Sequence, residues 1–296
     1  MTHFGELAAF ATACCWVVTG ISFEQAGKRV GSLAVNLIRL VMALLIMTVF
    51  TTVTRGMPLP LDATPHAWGW LIASGLIGFV IGDLFLFQAY VLIGVRISML
   101  IMATVPPITA VLGYFFLNER LSFQTLAGMA LTFGGIALVI LVRGEAGGAV
   151  RLSHPAKGLF YAFMGAMGQA FGLVASKIGM GSYNAFSATQ IRIMAGLAGF
   201  LVIYALGRQW QVLPKALKDL RGMQFITLGA FFGPFLGVSL SLLAVQNTDT
   251  AIASTIMSIM PVLIIPVSVL LFKERIRLRE IVGAVVAVVG VTILFL

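Results

Sequence analysis

One stretch of this chain occurs twice, and that repetition narrows the possible folds more than any other feature. Pro106 interrupts an apolar run, Asn118-Glu119-Arg120-Leu121 follows, and a glycine-spaced apolar run then carries Gly128 and Gly135. Adding 155 to each number finds Pro261, then Lys273-Glu274-Arg275-Ile276, then Gly283 and Gly290. Upstream, Ser74, Gly78 and Gly82 map onto Gly229, Gly233 and Gly237, and Met102 maps onto Met257. Further upstream the offset drifts to 153, where Asn36-Leu37-Ile38-Arg39 meets Thr189-Gln190-Ile191-Arg192. A repeat of this length is one structural unit used twice.

The solvent for that unit is lipid. Of 296 residues, 60% are hydrophobic and 10% charged, against about 25% charged in a soluble domain. A spanning helix needs about 20 mostly apolar residues. Ten runs qualify: 5–23, 32–54, 66–88, 92–117, 122–142, 157–177, 183–206, 222–244, 249–272 and 278–296. They divide five and five at the Gly-rich polar stretch that begins at Arg143. The expected fold is therefore an all-α integral membrane protein of ten transmembrane helices. Residues 1–142 form the first repeat, 143–156 a linker and 157–296 the second repeat. The first run has no Lys or Arg before it and has a counterpart at 157–177, so it reads as part of the fold rather than a signal peptide.

An odd number of helices per repeat has a geometric consequence. The second copy starts on the opposite side of the bilayer from the first, so the halves are inverted repeats. Such repeats often build alternating-access carriers, with the substrate held in a central cavity between the halves. Counting Lys and Arg in the gaps sets the orientation. The odd-numbered gaps hold fourteen and the even-numbered gaps three, Arg55, Arg120 and Lys177. The positive-inside rule puts the odd gaps in the cytoplasm and both termini outside. Between the seventh and eighth runs, Trp210, Leu213, Leu217 and Leu220 alternate with Lys215, Lys218 and Arg221. This is either a short amphipathic helix on the lipid surface or a solvated loop.

Several function classes fall away. The net charge of +9 comes from Lys and Arg in short gaps between apolar runs, so no basic surface for nucleic acid exists. Cys14 and Cys15 are adjacent, and His3, His66 and His154 lie outside or at the edge of apolar runs. No metal-ligand spacing, cofactor motif or enzyme triad follows. The partners expected are a small-molecule substrate and the bilayer, with the chain acting as a monomer.

Ionisable groups inside a membrane are functional candidates because they are costly to bury. Arg39 and Asp83 both fall in the cytoplasmic third of their helices, where they can pair. The pair reads as a gate or carboxylate-binding site, or as a structural ion pair. Arg192 is the repeat-mate of Arg39, but the mate of Asp83 is Val238. Arg192 then has Asp249 or a substrate carboxylate as its partner. Trp16 aligns with Gln169 near mid-span. Trp16, Thr19, Tyr161 and Gln169 are candidates for a cavity wall, or for plain helix packing. Met102 and Met257 flank Pro106 and Pro261, which are expected to kink the fourth and ninth helices. Ser98 and Ser254 can bond a polar ligand group or their own backbone.

An apolar helix with a central proline, a turn containing Glu-Arg and a glycine-punctuated last helix resembles the EamA unit of the drug/metabolite transporter superfamily. The resemblance covers Pro106, Glu119-Arg120, Gly128 and Gly135, and again Pro261, Glu274-Arg275, Gly283 and Gly290. The whole chain is also similar in general appearance to bacterial aromatic amino acid exporters. The resemblance implies an inner-membrane carrier of small metabolites, often amino acids, with no prosthetic group. It implies a path surrounded by helices one to four and six to nine, with five and ten peripheral. Related multidrug carriers use a glutamate deep in the first helix. Here Glu6 lies at its edge, which argues against proton-coupled cation efflux.

Overall fold

The computed structural model describes residues 3–116, 122–143, 150–247, 253, 256–272 and 277–295. In the first repeat α1 spans Phe4–Val30, α2 Ser32–Arg55 and α3 Pro65–Gly75. A π-helical segment, Leu76–Gly82, leads into α4 (Asp83–Met102), followed by α5 (Val105–Phe116) and α6 (Phe123–Ile140). The second repeat has α7 (Ala156–Met180), α8 (Ala185–Gly207), the short α9 (Val212–Lys218) and α10 (Leu220–Ala230). A second π segment, Phe231–Gly237, leads into α11 (Val238–Asn247), then α12 (Met260–Phe272) and α13 (Leu278–Phe295). Among the described residues six helical stretches are long and apolar enough to cross a membrane.

The helix boundaries differ from the hydropathy reading in three instructive places. α1 continues past residue 23 because Lys28 Nζ reaches Glu24 Oε1 at 2.5 Å, one turn away, and Gly31 at φ +86° ends it. The third run continues to Gly94, whose φ of +78° and ψ of 159° bend the chain within α4, a conformation that glycine adopts without steric cost. The expected kinks lie one turn before the prolines, at Ala103–Thr104 and Ser258–Ile259. Proline lacks the N–H and clashes with the carbonyl four residues back. The helix therefore stops and restarts, with Pro106 and Pro261 in the first turn of the new segment. The linker carries a two-stranded ladder, β1 (Leu141–Arg143) antiparallel to β2 (Val150–Leu152).

The repeat is visible in the backbone. The π segments, 76–82 and 231–237, and the two helix breaks all fall on the 155 offset. π turns carry an extra residue in the helical ladder and often mark functional sites. In the second copy Pro234 sits inside the segment and removes a donor from that ladder.

The glycine stripes let backbones meet. Gly78 faces Gly172, and Gly82 faces Gly168, so the first π segment lies directly on α7. Ser74 Oγ seals this contact, donating to the Gly172 carbonyl at 2.6 Å and lying 2.7 Å from Ser176 Oγ. The matching contact, the second π segment on α1, is filled by side chains instead. There Gly229 meets Phe23, Gly233 meets Thr19 and Gly237 meets Trp16. The glycines of the duplicated stretch join α6 to α13: Gly135 lies on Gly283 and Ala287, and Gly290 on Gly128 and Thr132. α9 is a helix, with Val212, Leu217 and Leu220 around it exposed and Leu213 packed inward.

A Cβ at Gly168 would lie 2.5 Å from the Gly82 Cα. Gly168→Ala should therefore force the two backbones apart and cost roughly 1–3 kcal/mol. Gly134→Ala, with nothing within 4 Å of the added carbon, should not. Thermal unfolding of both variants in detergent checks the difference.

Candidate functional site

Between the repeats lies a cavity of about 130 Å³. The elements that line it are α1, α2, the first π segment, α4 and α5 from one half, and α7, α8, the second π segment, α11 and the chain around Met257–Met260 from the other. α6 and α13 contribute no residue to this lining. That is the division expected for a path flanked by two peripheral helices.

Asp83 is the polar centre of the site. It opens α4, at the end of the π segment, and its carboxylate is buried. Arg39 Nη2 donates to Oδ2 at 2.6 Å, and Gln169 Nε2 donates to Oδ1 at 2.7 Å. Asn36 completes the group. Its Oδ1 accepts from Arg39 Nε and Nη2, at 3.3 and 3.0 Å, and its Nδ2 donates to the Asp83 carbonyl at 3.3 Å. Three rings surround the Arg39 guanidinium, Phe87 at 4.6 Å and Phe23 and Phe79 at 5.5 Å each. A desolvated cation over aromatic faces is further stabilised by their quadrupoles. Arg39 thus finds both a counter-ion and ring contacts within the protein itself.

Arg192 is treated differently. It lies in the same cavity wall, 4% exposed, with its guanidinium 5.0 Å from the centre of the Phe79 ring, which Arg39 also approaches. Among the described residues no acceptor hydrogen-bonds it, and its Nε is buried without a partner. Val238, the repeat-mate of Asp83, lines the cavity as an apolar residue. Asp249, the alternative acid, lies outside the described residues.

Other sequence candidates divide. Trp16, Thr19, Met102, Met257 and Pro106 line the cavity. Ser98 does not, because its hydroxyl donates to the Gly94 carbonyl at 2.8 Å. Tyr161 does not either. It precedes Gln169 by eight residues, roughly 12 Å along the helix axis and about 80° around it. Its ring packs on Phe85 at 5.4 Å, with Lys157 Nζ 5.6 Å away. Pro261 faces a separate small gap beside Arg96 and Glu280. Ser254 lies outside the described residues. Sequence reasoning missed Phe79, Phe87 and Tyr90. They stand four before, four after and seven after Asp83, on one helical face, and that spacing would have found them. Phe23, seven residues after Trp16, follows the same logic.

The lining is divided by repeat. The first half supplies the aromatic wall: Trp16, Phe23, Phe79, Phe87 and Tyr90. The second supplies Gln169, Ser241, Ser258 and the unpartnered arginine. Comparison with known families matches the EamA-like transporter family over residues 3–141 and again over 156–296. The chain belongs to that family. It is therefore a membrane transporter of the drug/metabolite transporter type, and the doubled match is the repeat seen in the backbone. One solved structure, titled only "Crystal structure of protein", aligns with 99% of this chain and 96% of its own. The TM-score is 0.69 at 16% identity, a likeness of fold alone. No curated protein matches the chain. In this EamA-like chain the described lining holds one carboxylate, Asp83, and it is already paired with Arg39 and hydrogen-bonded by Gln169.

Breaking a buried pair from one side costs about 3–5 kcal/mol. Arg39→Asp and Asp83→Arg should each abolish transport and lower stability by that order. The double exchange should recover measurable flux in proteoliposomes. A double variant as inactive as either single one contradicts a pairing role.

Proposed function

We propose that this protein is a secondary carrier that exports small metabolites, above all aromatic and hydrophobic amino acids, by alternating access. The observation that carries the reading is the cavity between the halves, where aromatic rings from the first repeat stand beside polar and charged groups from both. Such a cavity binds an apolar body and orients a polar head, the usual division in small-molecule sites. Met99, Met102, Met257 and Met260 supply adaptable contacts around the apolar part. The proposal includes ten crossings in inverted five-helix halves, a bacterial-type inner membrane and both termini outside, in keeping with the charge bias of the gaps.

Efflux of cationic drugs by the same fold is disfavoured on a specific ground. The charged groups of the lining are Arg39, Asp83 and Arg192, and Asp83 is already paired. A cation would enter a positively charged site without a counter-ion, which is costly in a medium of low dielectric constant.

Flux measurements on the purified protein in liposomes test the reading. L-phenylalanine, L-tryptophan and L-leucine should leave preloaded vesicles at rates well above protein-free controls. A quaternary cation and a phosphorylated sugar should not. Flux of none of the amino acids, or of the cation alone, contradicts the proposed function.

A further inference from the structure

Resting on the reading of this cavity as the transport site, we propose that Arg192 alone anchors the substrate's anionic group. The ligand class it selects is then monocarboxylates with an apolar or aromatic body, in which the α-amino group is dispensable.

The repeat supplies the first reason. The arrangement that sets Asp83 beside Arg39 in the first half is broken in the second, where the position matching Asp83 is Val238. Each half thus brings an arginine to the cavity, but among the described residues only the first half brings an acid. A buried cation without a counter-ion is costly, and groups of this kind inside membranes mark substrate paths. Arg192 has its Nε enclosed and unpartnered, and no acceptor bonds it among the described residues. A ligand carboxylate would supply what the second repeat lacks.

Charge balance gives the second reason. With Arg39 and Asp83 paired at 2.6 Å, the lining keeps one uncompensated positive charge. A monoanion neutralises it. The ammonium of a zwitterion meets only a carboxylate whose charge Arg39 already balances and to which Gln169 also donates. The ammonium therefore gains little from this cavity beside what the carboxylate gains at Arg192.

Space gives the third. The Arg192 Nη2 lies only 3.2 Å from where a Cβ on Gly78 would stand, so the absent side chain leaves room for the guanidinium. Its neighbour Phe79 belongs to the aromatic wall. A carboxylate on Arg192 thereby leaves the ligand's apolar body against that wall.

Direct binding to the purified protein, by calorimetry or equilibrium dialysis, tests this with four compounds: L-phenylalanine, 3-phenylpropionate, L-phenylalaninamide and phenethylamine. The two acids should bind within about tenfold of each other, and the amide and amine at least about tenfold more weakly, the scale of loss when a buried charged partner goes unmatched. Arg192→Gln should weaken both acids by about tenfold or more and leave the amine unchanged, and Arg192→Lys should restore part of the loss. Arg192→Gln should also lower the unfolding temperature far less than Arg39→Gln, because it loses the Phe79 ring contact but no hydrogen-bonded partner. Binding of the amine or amide as tight as the acids overturns the proposal, as does undiminished acid binding by Arg192→Gln or a fall in its unfolding temperature as large as that of Arg39→Gln. If the native protein binds none of the four, the transport-site reading itself fails, an outcome distinct from a wrong choice among them.

Discussion

A carboxylate inside a lipid-embedded protein persists only where donors surround it, and the arrangement around Asp83 meets that condition with groups from both halves. Arg39 comes from the first repeat and Gln169 from the second. Asn36 binds the Arg39 side chain and the Asp83 backbone together. The network therefore fixes α2, α4 and α7 relative to one another at the cavity wall. Removing any one donor leaves part of a buried charge unsatisfied, whereas the assembled group is close to neutral. The aromatic rings around Arg39 extend the same logic, replacing lost hydration with quadrupole contacts.

Two of the interfaces between the halves, those of the π segments, are related by the repeat yet built from different materials. On α7 the first π segment rests backbone to backbone through Gly78, Gly82, Gly168 and Gly172, with Ser74 and Ser176 bonded across it. On α1 the second π segment rests on Phe23, Thr19 and Trp16. Close glycine contacts maximise van der Waals packing where no hydrophobic force operates between helices. Side-chain contacts leave a wider separation and present rings to the cavity. In the proposed cycle the first interface is the rigid one.

Much of this was legible in the sequence because the chain states its architecture twice. The 155 offset marks the small-residue stripes on which the π segments lie and the two prolines beside the breaks, but not the π turns themselves, and proline placed the breaks one turn earlier than a simple kink would. The division of helices around the cavity was legible too, as was the meeting of Arg39 with Asp83. The rest depended on choices that residue type does not encode. Ser98 bonds its own backbone at Gly94, although a hydroxyl at that position is chemically free to face a ligand. Tyr161 lies on the wrong turn and face of α7 for the cavity. Gly94 bends α4 a few residues past the boundary at 88–92, where hydropathy marks a gap between two helices and the chain instead stays helical on both sides of one glycine. The aromatic wall was written in the spacing around Asp83, but phenylalanine is so common in this chain that its face shows only once a centre is chosen.

Taken together, these features make the difference between the copies, rather than their likeness, the working part of the molecule. The symmetric elements hold the frame, and Asp83 against Val238 and Phe79 against Pro234 shape the site. An experimental structure of the protein with L-phenylalanine bound tests this most directly. The account predicts the ligand in the central cavity, its carboxylate within hydrogen-bonding distance of Arg192, its ring on the wall formed by Phe79 and Phe87, and the Arg39–Asp83 pair intact. A ligand carboxylate bound to Arg39 in place of Asp83, or a ligand lodged outside this cavity, would contradict it.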